Sequence, residues 1–100
     1  MMKVLITDFA KYQLASIYEY YRLQGYGSFG RKVRADVIKK ALALRDFPNL
    51  GNEEKHLTDL GLGHRYLVVG NYKIIYRATS EYIYVTDVFD TRRDPSEMMP

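Results

Sequence analysis

Six residues in the second half of the chain have the types that phosphate chemistry uses: His64, Arg65, Lys73, Arg77, Arg92 and Arg93. Cutting RNA through its own 2′-hydroxyl needs a base for that hydroxyl, cations for the charge that builds on the phosphate, and an acid for the leaving oxygen. His64 titrates near neutrality and so has the right range for acid or base work, although a loop or strand-end histidine is the plainer reading. Arg92 and Arg93 can grip phosphate in guanidinium forks, or simply form a solvated strand end paired with Asp90 or Asp94. Lys73 and Arg77 fall on one face of a strand, because strand side chains alternate. Tyr72, Tyr76, Tyr82 and Tyr84 offer rings for stacking on bases, or fill a sheet with their hydroxyls at its rim.

The rest of the composition narrows the chemistry. There is no cysteine, so disulfides and thiolate metal sites are excluded. The two histidines, His56 and His64, match no zinc spacing, and no metal or cofactor is implied. Gly61-Leu62-Gly63 is a turn and does not make a dinucleotide loop. A net charge of +3 and a pI near 9.1 point only weakly to a polyanionic partner. The apolar run at the start is too short for a signal peptide, and no stretch approaches the roughly 18 apolar residues of a membrane span. A single cytoplasmic domain over residues 1–100 is expected, with no membrane role.

The elements that must position these residues follow from periodicity. Lys3–Thr7 reads as a short strand, and Asp8 is the expected cap of a helix over 9–23. Its apolar stripe is Ala10, Leu14, Ile17 and Tyr21, flanked by Tyr18. Gly25 and Gly27 stop it. Ser28 is the expected cap of a second helix running to about Asp46, with Phe29, Val33, Val37, Ala41 and Leu44 on its stripe and Ile38 and Leu42 widening it. After a polar stretch over 52–63, the period switches to two. Arg65–Val69, Tyr72–Ala78 and Tyr82–Phe89 form an antiparallel meander, with turns at Gly70-Asn71 and Thr79-Ser80. Alternation puts Ile83, Val85 and Phe89 on one side of the last strand and Tyr82, Tyr84 and Thr86 on the other. It puts Tyr72, Ile74 and Tyr76 opposite Lys73, Ile75 and Arg77, and leaves open which set faces solvent. Asp94-Pro95-Ser96-Glu97 carries a helix-start signature, and Met98-Met99 reads as a frayed tail. The result is an α+β domain in the order β-α-α-β-β-β: a helical hairpin on one face of a mostly antiparallel four-stranded sheet.

Three segments carry a family resemblance. His64-Arg65-Tyr66-Leu67-Val68-Val69-Gly70-Asn71-Tyr72-Lys73-Ile74-Ile75-Tyr76-Arg77 is similar to the signature of the RelE/ParE toxin superfamily: an arginine-led strand, a glycine turn, and a strand with paired aromatics. Val88-Phe89-Asp90-Thr91-Arg92-Arg93-Asp94-Pro95 resembles the superfamily's ending, and Phe47-Pro48-Asn49-Leu50-Gly51 its loop after the second helix. The resemblance implies a growth-inhibiting toxin of a type II toxin–antitoxin, or plasmid stabilisation, system. It implies a cognate antitoxin as main partner, held in a toxin–antitoxin hetero-oligomer through an apolar and basic groove. Two activities occur in the superfamily: RelE-like members are ribosome-dependent mRNA endoribonucleases, and ParE-like members poison DNA gyrase without cutting RNA. RelE-like members place a tyrosine or histidine after the basic pair; here the chain reads Glu97-Met98-Met99. The expectation is therefore a ParE-like, gyrase-binding toxin. Catalytic roles for Arg65, Lys73, Arg93 and His64 arise only in the nuclease alternative; Arg77, Arg92, Tyr72 and Tyr76 are the expected binding residues. A non-toxic RNA- or protein-binding module is the further alternative.

Overall fold

In the computed structural model, which describes residues 2–100, the chain runs β1 (Lys3–Ile6), α1 (Asp8–Leu23), α2 (Gly27–Ala43) and β2 (Asn52–Glu53). A 3-10 turn (Lys55–Leu60), β3 (Arg65–Val69), β4 (Tyr72–Ala78), β5 (Tyr82–Asp90) and a last 3-10 turn (Pro95–Glu97) follow. The helical hairpin and the meander appear as the periodicity predicts. The caps differ. Thr7, not Asp8, caps α1: its hydroxyl accepts from the Ala10 N–H at 3.1 Å, and Asp8 moves into the first turn, where a negative charge suits the helix dipole. α2 begins at Gly27 with no side-chain cap, and Ser28 instead accepts from Arg31 at 3.1 Å. The tail of α2 tightens over Leu44–Asp46, whose N–H groups bond three residues back, as helix ends commonly do.

The sheet has five strands in the order β1-β5-β4-β3-β2, one more than expected. β1 runs parallel to β5, and every other pair is antiparallel. The added strand, β2, pairs Asn52 with Tyr66 and Glu53 with Arg65. Its position depends on Gly51, where a Cβ would stand 2.5 Å from the Tyr66 carbonyl oxygen and 2.8 Å from the Tyr76 ring. The Gly51 N–H donates to the Tyr76 hydroxyl at 2.9 Å, and that hydroxyl donates to the Pro48 carbonyl at 2.9 Å. The loop after α2 is thus docked on the end of β4 by one buried tyrosine.

The main core lies between the hairpin and one face of the sheet. Ala10, Leu14, Val33, Val37, Ala41 and Leu44 from the helices meet Leu67, Tyr72, Ile74, Tyr76, Ile83, Val85 and Val88. Phe29 and Leu42, expected on the stripe, stay 51% and 44% exposed because they sit at its margin. The second face is not wholly open. Leu57, Ile75, Phe89 and Met98 form a smaller core there, with Tyr66 packed against it. A β-bulge explains why β5 serves both. Ile75 pairs with Asp87 but Tyr76 pairs with Val85, so Thr86 has no opposite number. The extra residue reverses the alternation: Val88 turns to the helices, and Phe89 goes to the face opposite Ile83 and Val85, contrary to the simple period-two reading. Met98 is buried rather than frayed. Its neighbour Met99 donates its N–H to Asp87 at 2.9 Å and accepts from the Thr86 hydroxyl at 3.0 Å.

Candidate functional site

The sheet face turned from the helices carries half of the residues singled out by type. β4 places Lys73 and Arg77 there, flanking Ile75, and β5 places Tyr82 and Tyr84 there beside them. Arg77 lies over the Tyr84 ring, 4.9 Å from its centroid, and Lys73 over the Tyr66 ring at 4.1 Å. Arg93 lies over Phe89 at 5.2 Å, at the far end of the same face. The face therefore alternates cations with aromatic rings, an arrangement in which each ring's negative surface holds a charge.

Most of these cations are already engaged. Lys73 donates to Glu54 at 2.8 Å, and that carboxylate is 1% exposed. His56 donates to the other Glu54 oxygen through its backbone N–H at 3.2 Å, and its Nδ1 lies 3.0 Å from the same atom. Burial pushes the Glu54 carboxyl up, but the Lys73 and His56 contacts outweigh it and hold the group below its ordinary value. Arg92 grips Asp90 with two nitrogens, at 3.0 and 2.8 Å, which holds that carboxyl low and the guanidinium high. Arg93 reaches Glu97 at 3.3 Å. Arg65 points the other way and donates to the Gly51 carbonyl at 2.8 Å. Among the described residues, Arg77 alone of the five singled-out cations has neither a carboxylate nor a carbonyl partner in hydrogen-bond reach.

Two expected binding residues are elsewhere. Tyr72 and Tyr76 face the helices and are 4% and 1% exposed, so neither ring offers a surface for stacking. The Tyr72 hydroxyl pairs with that of Tyr21 at 3.1 Å, and burial raises its pKa far above the ordinary value. His64 is also buried, and neither ring nitrogen has a partner among the described residues. Burial, then the nearby Arg77 charge, lowers its pKa, while Glu54 pulls weakly the other way. It is held neutral and shielded, a poor place for a proton-transfer group. The sign gives a prediction. The folded state resists a proton that the unfolded chain accepts near pH 6.5, so stability should fall as pH drops from 7 to 5. Urea midpoints should show that decline in the native chain and a flatter profile in His64→Leu; parallel profiles would refute it.

Nothing in the sequence marks Glu54, His56 or Tyr66. Only the mid-strand position of Lys73, beside buried Ile75, signals that a counter-charge must lie near.

Between α1 and the end of β5 a cleft of about 310 Å³ is lined by Ser16, Ile17, Tyr20, Val88, Arg92 and Arg93, among others. Where the helical hairpin meets β1, an apolar groove runs over Ile6, Leu14, Ala15, Tyr18 and Ile38, rimmed by Lys11 and Arg34. A family model, described as the ParE toxin of the type II toxin–antitoxin system parDE, matches residues 4–95. The chain belongs to the ParE toxin family. Among solved structures it is similar to one described as the chromosomal ParDE TA system from P. aeruginosa. The TM-score is 0.74 at 20% identity, over 90% of this chain and 96% of that one. At that identity the likeness is one of fold. No curated protein matches the chain. Membership makes this a toxin of a type II toxin–antitoxin system, and such a toxin has a cognate antitoxin as its partner. No helix among the described residues is long and apolar enough to cross a membrane.

Proposed function

We propose that this ParE-family toxin arrests growth by binding DNA gyrase and not by cutting mRNA on the ribosome. The observation that carries the reading is the occupied state of the cations. Lys73 is neutralised by a buried Glu54, and Arg92 and Arg93 lean on Asp90 and Glu97. Arg65 serves the loop at Gly51. A nuclease needs free cations on the phosphate and a poised acid for the leaving oxygen. Here the acid is missing: His64 is buried, and the segment after Arg93 folds back with Met98 in a core. A missing general acid costs about 10²–10⁴-fold in rate.

The antitoxin's seat is the groove where the hairpin meets β1. Its apolar floor and the rim of Lys11 and Arg34, continued by Arg31 and Lys39 on α2, suit an acidic amphipathic segment. The toxin then sits in a cytoplasmic hetero-oligomer until that segment is removed. The test is induced expression in a bacterium with two readouts in parallel. Gyrase inhibition and double-strand DNA breaks, with no ribosome-dependent mRNA cuts by primer extension, are the expected outcome. Cuts that disappear in Arg93→Ala would overturn the proposal and promote the nuclease. Undisturbed growth at high levels of folded protein would count against any toxic activity.

A further inference from the structure

The second sheet face has two ends. Near Met98 it is covered by the small core; near β1 it is only partly covered. At that end lie the half-buried Tyr82 and Tyr84, two residues apart on β5, with ring centroids 6.0 Å apart and planes 37° from one another. β1 pairs Lys3 with Tyr82 and Leu5 with Tyr84 in register, so exposed Lys3 and 42% exposed Leu5 extend the same surface. Arg77 lies over Tyr84. Among the described residues, neither Lys3 nor Arg77 has a carboxylate in ion-pair range.

We infer that this end is a docking surface for single-stranded nucleic acid, with bases stacked on Tyr82 and on the Arg77–Tyr84 pair, and the phosphates held by Lys3 and the N–H edge of Arg77. The Tyr82 and Tyr84 rings, 6.0 Å apart and tilted by 37°, are too close to admit a base between them, so bases stack on their outward side, where ring faces are sequence-tolerant platforms. The guanidinium of Arg77 continues the stack over Tyr84 and leaves its N–H edges for phosphate oxygens. Among the described residues neither cation has a carboxylate partner, in contrast to Lys73 on the same sheet and Arg92 just past its last strand. Paired bases of a duplex keep their faces to each other and cannot use such a platform, so the surface selects single strands. The inference goes beyond gyrase binding and does not depend on it.

The test is fluorescence anisotropy of a short labelled oligothymidylate with the full chain, against a duplex of equal length and over a salt series. Expected are preferential binding of the single strand and a loss of about tenfold in each of Tyr82→Leu and Tyr84→Leu. Tyr82→Phe and Tyr84→Phe should keep affinity, which separates stacking from a folding defect. Arg77→Gln should lower the salt slope by about 0.7, and Lys32→Gln on the helical side, an exposed residue paired with Asp36, should change nothing. Absence of binding at low salt by a chain shown folded by circular dichroism would overturn the inference. So would equal duplex binding that ignores both tyrosines, since diffuse charge then suffices. Loss of gyrase or antitoxin capture in the leucine variants, with no oligonucleotide bound, would make the face a protein interface instead.

Discussion

Gly51→Ala should destabilise the domain by about 3 kcal/mol, the upper end of what overpacking costs. The obstacle is backbone: the added methyl meets the Tyr66 carbonyl at 2.5 Å, and that strand cannot yield without moving β3. Relief requires the loop to lift, which breaks the Gly51–Tyr76 hydrogen bond and the Arg65 contact to the Gly51 carbonyl, at 2.9 and 2.8 Å. For a domain of this size each kcal/mol lowers the melting temperature by roughly 4–8 °C, so a fall of ~12–24 °C is expected. Tyr76→Phe removes the same docking point more gently, leaving the Pro48 carbonyl and Gly51 N–H without their partner, at a cost of about 1–3 kcal/mol. Thermal melts of the two variants would settle the matter; a Gly51→Ala curve that overlays the native one would show that the loop is not held there.

Glu54→Ala is the second large effect. It strips the only carboxylate within reach of Lys73 among the described residues, and leaves an ammonium that is 20% exposed beneath the 3-10 turn. Breaking such a pair from one side costs about 3–5 kcal/mol. Since part of the ammonium still reaches water, the lower end is expected. The double change Glu54→Leu with Lys73→Met should recover most of the loss, because an apolar pair of similar size removes both charges together. The pH dependence has a definite sign. The Glu54 carboxyl is held below its ordinary value of 4.5, so its contribution is full above that pH and fades as pH falls through the folded value. Denaturation at pH 7 and pH 4 should therefore bring native and Glu54→Ala midpoints closer together at the acid end. A gap that stays constant would mean that packing, not charge, makes Glu54 matter.

The helices and the meander were legible because their apolar residues repeat over long enough stretches to exclude the other period. Ala10 and Leu14, or Ile74 and Tyr76, belong to patterns that only one element satisfies. β2 escaped notice for the opposite reason: two exposed polar residues carry no period, and their pairing rests on the close approach at Gly51. The bulge at Thr86 is likewise silent in the sequence. Alternation assumes one residue per step, so a single extra residue sent Phe89 to the wrong face. Among the functional candidates, residue type found the cations but not their occupancy, which depends on Glu54 at a separation of 19 positions from Lys73. Tyr72 and Tyr76 look the same as Tyr82 and Tyr84 by type. Only knowing which face the hairpin covers separates the two fully buried rings from the two half-buried ones.

The parallel pairing of β1 with β5 bears on timing. Lys3 waits for Tyr82 and Ile6 for Val85, and the bond from the Thr7 hydroxyl to the Thr86 carbonyl closes a span of 79 positions. On the ribosome the helical hairpin can form early from local contacts. Its apolar stripe then has no sheet to rest on until the last strand has left the tunnel. A nascent chain built in this order completes its sheet only once β5 has emerged, and any surface that spans β1 and β5 comes into being at that moment and not before.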